Sequence, residues 1–101
     1  METTINVHKF EQLADRFKLL SAPSRLRILL MLCSQERNVT EICDCTGLNQ
    51  ANVSRHLQQL KLSGAVAVRR VGGRHYYRVI DSEILDLCTQ VCSLDPENGA
   101  L

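Results

Sequence analysis

Cysteine is the side chain in this sequence with the most chemistry to offer, and it recurs as Cys33, Cys43, Cys45, Cys88 and Cys92. A thiolate is a nucleophile, a target for oxidation and a ligand for soft metal ions. Cys43 and Cys45 are two residues apart, about 200° around a regular helix, so they cannot face one ion there without local distortion. Cys88 and Cys92 are four apart and share a helix face, where they can hold a soft ion or approach another thiol. Free cysteine also serves as a small apolar side chain, and apolar packing is the plain alternative for the second pair. There is no Cys-x-x-Cys motif and no glycine loop for a nucleotide, and His56 suits packing or a groove better than base catalysis, so the sequence argues against an enzyme.

Which chemistry the thiols do depends on where the chain works and what holds them. The opening METTINVHKFEQL has no apolar stretch of a secretory leader, and no run approaches the roughly 18 apolar residues that span a bilayer. The expectation is a cytoplasmic protein whose cysteines are thiols, metal ligands or redox sensors rather than a disulfide framework. At 101 residues, 45% of them hydrophobic, there is room for one domain with a modest core. With no Trp and 4% aromatics, aliphatic side chains must fill that core, and a partner subunit would add stability.

Net charge is only +1, but its distribution is uneven. From Thr46 to Ile80 there is no Asp or Glu, while Arg55, Lys61, Arg69, Arg70, Arg74 and Arg78 all fall there, with His56 and His75 alongside. Such a segment suits phosphate. A merely solvated basic face would not require acids to be absent throughout it.

Periodicity then supplies the scaffold. Phe10, Leu13, Ala14, Phe17 and Leu20 mark a first helix over 7–20, and Pro23 opens a second, mostly buried helix to about Cys33. After the polar break Ser34–Asn38, Thr40 is the expected N-cap of a short helix from Glu41 to about Thr46, stopped by Gly47. A further helix, Ala51 to Leu62, has Val53, Leu57, Leu60 and Leu62 as its apolar positions and ends at Ser63-Gly64. Ala65–Arg70 and His75–Ile80 flank Val71-Gly72-Gly73-Arg74 as a β-hairpin. A last helix from about Ser82 to Val91 carries an apolar stripe, Ile84, Leu85, Leu87, Cys88, Val91 and Cys92, too wide to bury in one small domain. That stripe, with the first helix, reads as a homodimer interface. The tail from Asp95 is expected to be disordered.

Two short helices about a glycine turn, followed by a hairpin, give a mainly α winged helix-turn-helix, in the order α-α-α-α-β-β-α, over residues 1–94. The second helix of such a unit enters the major groove with its N-terminal half. Gln50, Asn52, Ser54, Arg55, His56 and Gln59 are therefore expected at the groove, since Gln and Asn match adenine, Arg matches guanine and Ser suits several partners. Arg69 and Arg74 are expected to reach the backbone or the minor groove from the wing.

The runs LLSAPSRLRILLML and TEICDCTGLNQANVSRHLQQLKLSGAVAVRRVGGRHYYRV resemble the ArsR/SmtB family of winged-helix metalloregulators over about residues 10–92. The resemblance implies a homodimeric repressor that binds operator DNA without a cofactor and leaves it when a metal or metalloid binds. Glu41-Ile42-Cys43-Asp44-Cys45 is similar to the Glu-Leu-Cys-Val-Cys-Asp signature of the arsenic- and cadmium-responsive branches, which points to As(III), Sb(III), Cd(II) or Pb(II), most simply arsenite, on Cys43 and Cys45. The arsenic branch's third cysteine is replaced by Leu48, and the N-terminal arm has no cysteine, only His8, so a complete three-thiolate site must borrow Cys33, Cys88 or Cys92, or else stay two-coordinate. The last helix lacks the Asp/His set of the zinc-responsive branch. Other branches pair a cysteine on the second helix with one on the last as a persulfide or oxidation sensor, and Cys33 with Cys92 is loosely similar in placement. A persulfide-sensing repressor using Cys33, Cys88 or Cys92 is thus the second expectation, and a protein-protein adaptor without DNA binding the remote one.

Overall fold

A computed structural model of the chain describes residues 6–94, and local signals account for most of its elements. α1 (Val7–Leu20) begins where the Asn6 side chain accepts from the Lys9 N–H at 2.9 Å. α2 (Pro23–Ser34) opens on proline, whose missing N–H is one the first turn leaves unpaired anyway. A two-residue strand, β1 (Arg37–Asn38), leads directly into α3 (Val39–Thr46) and, after a short turn, α4 (Gln50–Ser63). The hairpin β2 (Val66–Val71) and β3 (Arg74–Val79) and the final helix α5 (Ser82–Leu94) complete the order. The tail beyond Leu94 lies outside the described residues.

Two helix starts differ from expectation, each for a capping reason. α3 is capped by Asn38, not Thr40: the Asn38 side chain accepts from the Glu41 N–H at 2.9 Å, and the Glu41 carboxylate accepts from the Asn38 N–H at 2.9 Å. That reciprocal box satisfies two donors where Thr40 could satisfy one. α4 starts at Gln50 because Asn49 accepts from Asn52 N–H at 2.8 Å. Gly47 and Gly64 end these two helices in the left-handed region, at φ 76° and 84°. The polar break before α3 contributes the strand β1, which pairs antiparallel with β3 (Arg37 opposite Tyr77, Asn38 opposite Tyr76) and gives the sheet the order β1-β3-β2.

The hairpin closes through Gly72 and Gly73, both at positive φ, with Val71 opposite Arg74. Positive φ at both central residues is the signature of the twist-matching two-residue turn.

The core gathers around α2. Ile28, Leu29 and Leu32 meet Ile42 of α3, Val53, Leu57 and Leu60 of α4, Val66 and Val79 of the hairpin, and Ile84 and Cys88 of α5. Leu62, expected among the apolar positions of α4, is 78% exposed, because it stands about 200° from Leu60 around the helix. α1 buries none of its side chains. It is tied to the body at its C-terminal end by Arg25, which donates to the carbonyls of Leu19 (2.9 Å) and Lys18 (3.0 Å) and to Gln59 (2.9 Å). Midway along, Arg16 donates to Asp81 at 3.0 Å. Asp81 in turn caps α5 by accepting from the N–H groups of Glu83 and Ile84. Burial raises the Asp81 carboxyl, but the Arg16 bond and those two N–H donors outweigh it and hold it below its ordinary value.

Candidate nucleic-acid interface and thiol sites

α3 braces α4 from behind through Ile42, Val53 and Leu57, so the opposite side of α4 is left to solvent. Gln50, Ser54, Arg55 and Gln59 are exposed there and Asn52 is half-buried. Arg55 donates to the Asn52 side-chain oxygen at 3.1 Å, which links two of the groove candidates on successive turns. Gln59 already accepts from Arg25, near the C-terminal end.

His56 is the member of the expected set that the fold removes. It is buried at 8% exposure on the core side of α4, and its Nδ1 finds no partner among the described residues. Three residues from Val53 and four from Leu60, it belongs to the packed stripe rather than the groove face. Burial first, then the nearby Arg25 and Arg55, push its pKa below the ordinary 6.5. The fold thus favours neutral imidazole, so stability is full above about pH 6.5 and falls as pH drops from there towards the lowered folded value. A His56→Gln variant is expected to flatten the melting-temperature profile between about pH 7 and pH 5. An unchanged profile would contradict that role.

The wing carries its arginines unequally. Arg74 is exposed beside the glycine tip, and Arg70, Arg74 and Arg78 form no ion pair among the described residues. Arg69, expected at the DNA backbone, is instead forked onto Glu36: Nε lies 2.9 and 2.8 Å from the two carboxylate oxygens, and the second nitrogen 2.6 Å from one of them. Its guanidinium also lies 5.9 Å from the centre of the Tyr76 ring.

The thiols fall into two groups. Cys33 of α2 and Cys88 of α5 lie close enough for their thiols to interact, and Cys92, exposed, follows one turn along α5. The pair is strongly asymmetric. The Cys33 hydrogen bond lowers Cys88 against the opposing effect of burial, while the same bond, with burial, pushes Cys33 far up. Cys43 and Cys45 point apart: Cys43 is half-buried against the core, and Cys45 is exposed, its sulfur accepting from an Arg37 N–H at 3.2 Å. No cluster of three or more His, Cys, Asp or Glu side chains suited to a metal ion occurs among the described residues. The Cys33–Cys88 approach and the Glu36 and Arg37 contacts were not anticipated, because each joins elements whose relative placement no local pattern encodes.

Residues 22–68, from the start of α2 into β2, match the model of the arsR family of bacterial regulatory proteins. The solution structure of a homodimeric winged helix-turn-helix DNA-binding domain from Mycobacterium bovis, described as a possible ArsR-family regulator, is 33% identical, covers 97% of this chain and 94% of that one, and superposes with a TM-score of 0.75. This chain belongs to the ArsR/SmtB family. An antimony-specific transcriptional repressor of known structure is 27% identical to this family member, with a TM-score of 0.82 over 95% of this chain and 87% of that one. A probable mercury resistance operon repressor of Streptomyces lividans is 34% identical, over 83% of this chain and 67% of its own length. This ArsR/SmtB chain spans only 34% and 66% of the lengths of two further curated relatives. The winged helix-turn-helix architecture anticipated from the sequence is the one observed, and the proteins it matches are transcriptional regulators rather than enzymes. No helix among the described residues is long and apolar enough to cross a membrane.

Proposed function

We propose that this protein is a homodimeric transcriptional repressor that reads operator DNA with α4 and the Gly72–Gly73 wing, and that lets go when a thiol-seeking effector reacts with it. The observation that carries the DNA reading is the exposed N-terminal face of α4, Gln50, Ser54 and Arg55, standing beside a wing whose Arg74 is free of ion pairs among the described residues. Base contacts of this kind specify and wing phosphate contacts position. Arg55→Ala is expected to weaken binding to the cognate duplex by 1–3 kcal/mol, roughly five- to 150-fold, and to relax preference at one base pair. Arg74→Gln is expected to weaken all duplexes alike and to reduce the salt slope by about 0.9. Equal losses of slope and specificity in both variants would contradict the division of labour.

For the effector, the Cys33–Cys88 pair is the favoured site. The two thiols already lie together, the hydrogen bond from Cys33 favours the Cys88 thiolate, and the pair joins the central core helix to a helix with an exposed apolar face. A polysulfide or oxidant that bridges them would fix α5 against α2 and alter the dimer. The relative order of α4 and its mate on the DNA is sensitive to that, since each dimer must span two half-sites. DNA binding itself needs no cofactor.

A second reading, a soft ion such as As(III), Sb(III), Cd(II) or Pb(II) on Cys43 and Cys45, is favoured by the Arg37 N–H held on the Cys45 sulfur and by relatives named for antimony and mercury. Because the two thiols diverge, binding would have to distort α3, the brace of the reading helix, which couples occupancy to release. Arsenite-driven release that vanishes in a Cys43→Ser/Cys45→Ser variant would establish that reading, and release that survives in it would remove it.

A further inference from the structure

We infer that Glu36 is a built-in counterion that withholds Arg69 from DNA and thereby sets how many phosphates the wing grips. The inference rests on the DNA-binding reading above and goes beyond it. Glu36 lies immediately before β1, and Arg69 lies in β2, with β3 between the two strands. The ion pair therefore spans the sheet, over the Tyr76 that stands opposite both Asn38 and Arg69. Both Arg69 nitrogens that face the carboxylate are engaged, at 2.6 to 2.9 Å. The Glu36 side chain is only 23% exposed, so it is held in place, whereas that of Arg69 is 57% exposed. A phosphate approaching Arg69 must displace this fork or accept a carboxylate beside it, and a two-point carboxylate contact is the stronger kind of charged hydrogen bond.

The whole stretch from Thr46 to Ile80 lacks acids, so its arginines have no counterion of their own. Glu36 reaches into that field from outside it and neutralises one arginine of the wing. Arg70, Arg74 and Arg78, on the same hairpin, form no ion pair among the described residues, although the charge of Arg78 also bears on Glu36 more weakly than that of Arg69. Glu36 is in this sense a positioning residue that tunes affinity, and Arg69 belongs to the sheet rather than to the DNA-gripping set.

The test is a double-variant cycle read by fluorescence anisotropy on the protein's own upstream duplex, over a series of potassium chloride concentrations. Wild type, Glu36→Gln, Arg69→Gln and the double variant are compared, with Arg74→Gln as the reference for a wing phosphate contact. Glu36→Gln is expected to bind roughly five- to tenfold more tightly near 0.1 M salt, with a slope steeper by about 0.9. Arg69→Gln is expected to leave the slope unmoved, and Glu36→Gln to have little effect in its presence. A bridge that only held the sheet together would lower the melting temperature and leave the slope of Glu36→Gln unchanged. That result, or an Arg69→Gln slope reduced as much as that of Arg74→Gln, would overturn the inference. Wild-type protein that binds no duplex would overturn the DNA reading and this inference with it, whereas wild-type binding with an unaltered Glu36→Gln variant overturns this inference alone.

Discussion

Replacing Phe10 and Phe17 together with glutamate is expected to turn the dimer into a monomer and to weaken operator binding by at least about a hundredfold. α1 buries no side chain, yet Val7, Phe10 and Phe17 are 70%, 57% and 59% exposed, and Leu13 lies on the same face. α5 adds exposed Leu87 and Val91. Contiguous apolar surface of this kind marks an interface. Covering a phenylalanine contributes about 1.5–3 kcal/mol, and each dimer would cover four of these. Losing even half of that exceeds the roughly 2.8 kcal/mol that separates a hundredfold change in affinity. A monomer carries one reading helix, so it also loses the gain from engaging two half-sites at once. Because these side chains pack against nothing in the protomer core, the variant should keep its helical circular dichroism while its mass by light scattering halves. A variant that stays dimeric would move the interface elsewhere.

The second large effect concerns the thiols. Sodium tetrasulfide is expected to release reduced wild-type protein from DNA with a five- to 150-fold loss of affinity, roughly the range of ordinary allosteric couplings. In a Cys33→Ala/Cys88→Ala variant that ratio is expected to fall to about one, with operator binding before treatment unchanged, whereas a Cys43→Ser/Cys45→Ser variant should still respond. Alanine is chosen because Cys88 is buried, and a serine hydroxyl there would be left without a partner. The chemistry is balanced without a further reagent: a Cys88 thiolate takes a sulfane sulfur from the polysulfide, which leaves one sulfur shorter, and Cys33 then attacks the Cys88 sulfur of the persulfide, forming the disulfide and expelling hydrosulfide. Full response in the double alanine variant would remove this site from the account, and loss of response in the Cys43/Cys45 variant would transfer the role to α3.

What could be read in the sequence and what could not divide along physical lines. The span of α1 follows from its apolar period, and Pro23, Gly47 and Gly64 mark helix boundaries because backbone geometry leaves few other uses for them. The Gly72–Gly73 turn likewise announces its hairpin. β1 escaped because two residues carry no alternation, and Asn38 escaped as a cap because its strand pairing with β3 is what fixes its extended backbone. His56 illustrates a finer failure. A polar residue on a reading helix is expected to face the groove, yet its spacing from Val53 and Leu60 had already placed it on the packed side. The Cys33–Cys88 approach depends on how α2 and α5 cross. Loose similarity of placement had pointed to Cys33 with Cys92, one turn further along α5 than the thiol that meets Cys33. The Glu36–Arg69 bridge joins residues 33 apart across a sheet whose third strand was not foreseen.

If the acid-free wing and the exposed face of α4 grip DNA, anisotropy of the reduced protein on a labelled duplex from its own upstream region, followed as salt is raised, measures it most directly. Firm binding is expected at low salt, weakening linearly on a log–log plot with a slope of several units and tighter on this duplex than on a scrambled one. Absent binding at low salt, or binding indifferent to salt, would contradict it.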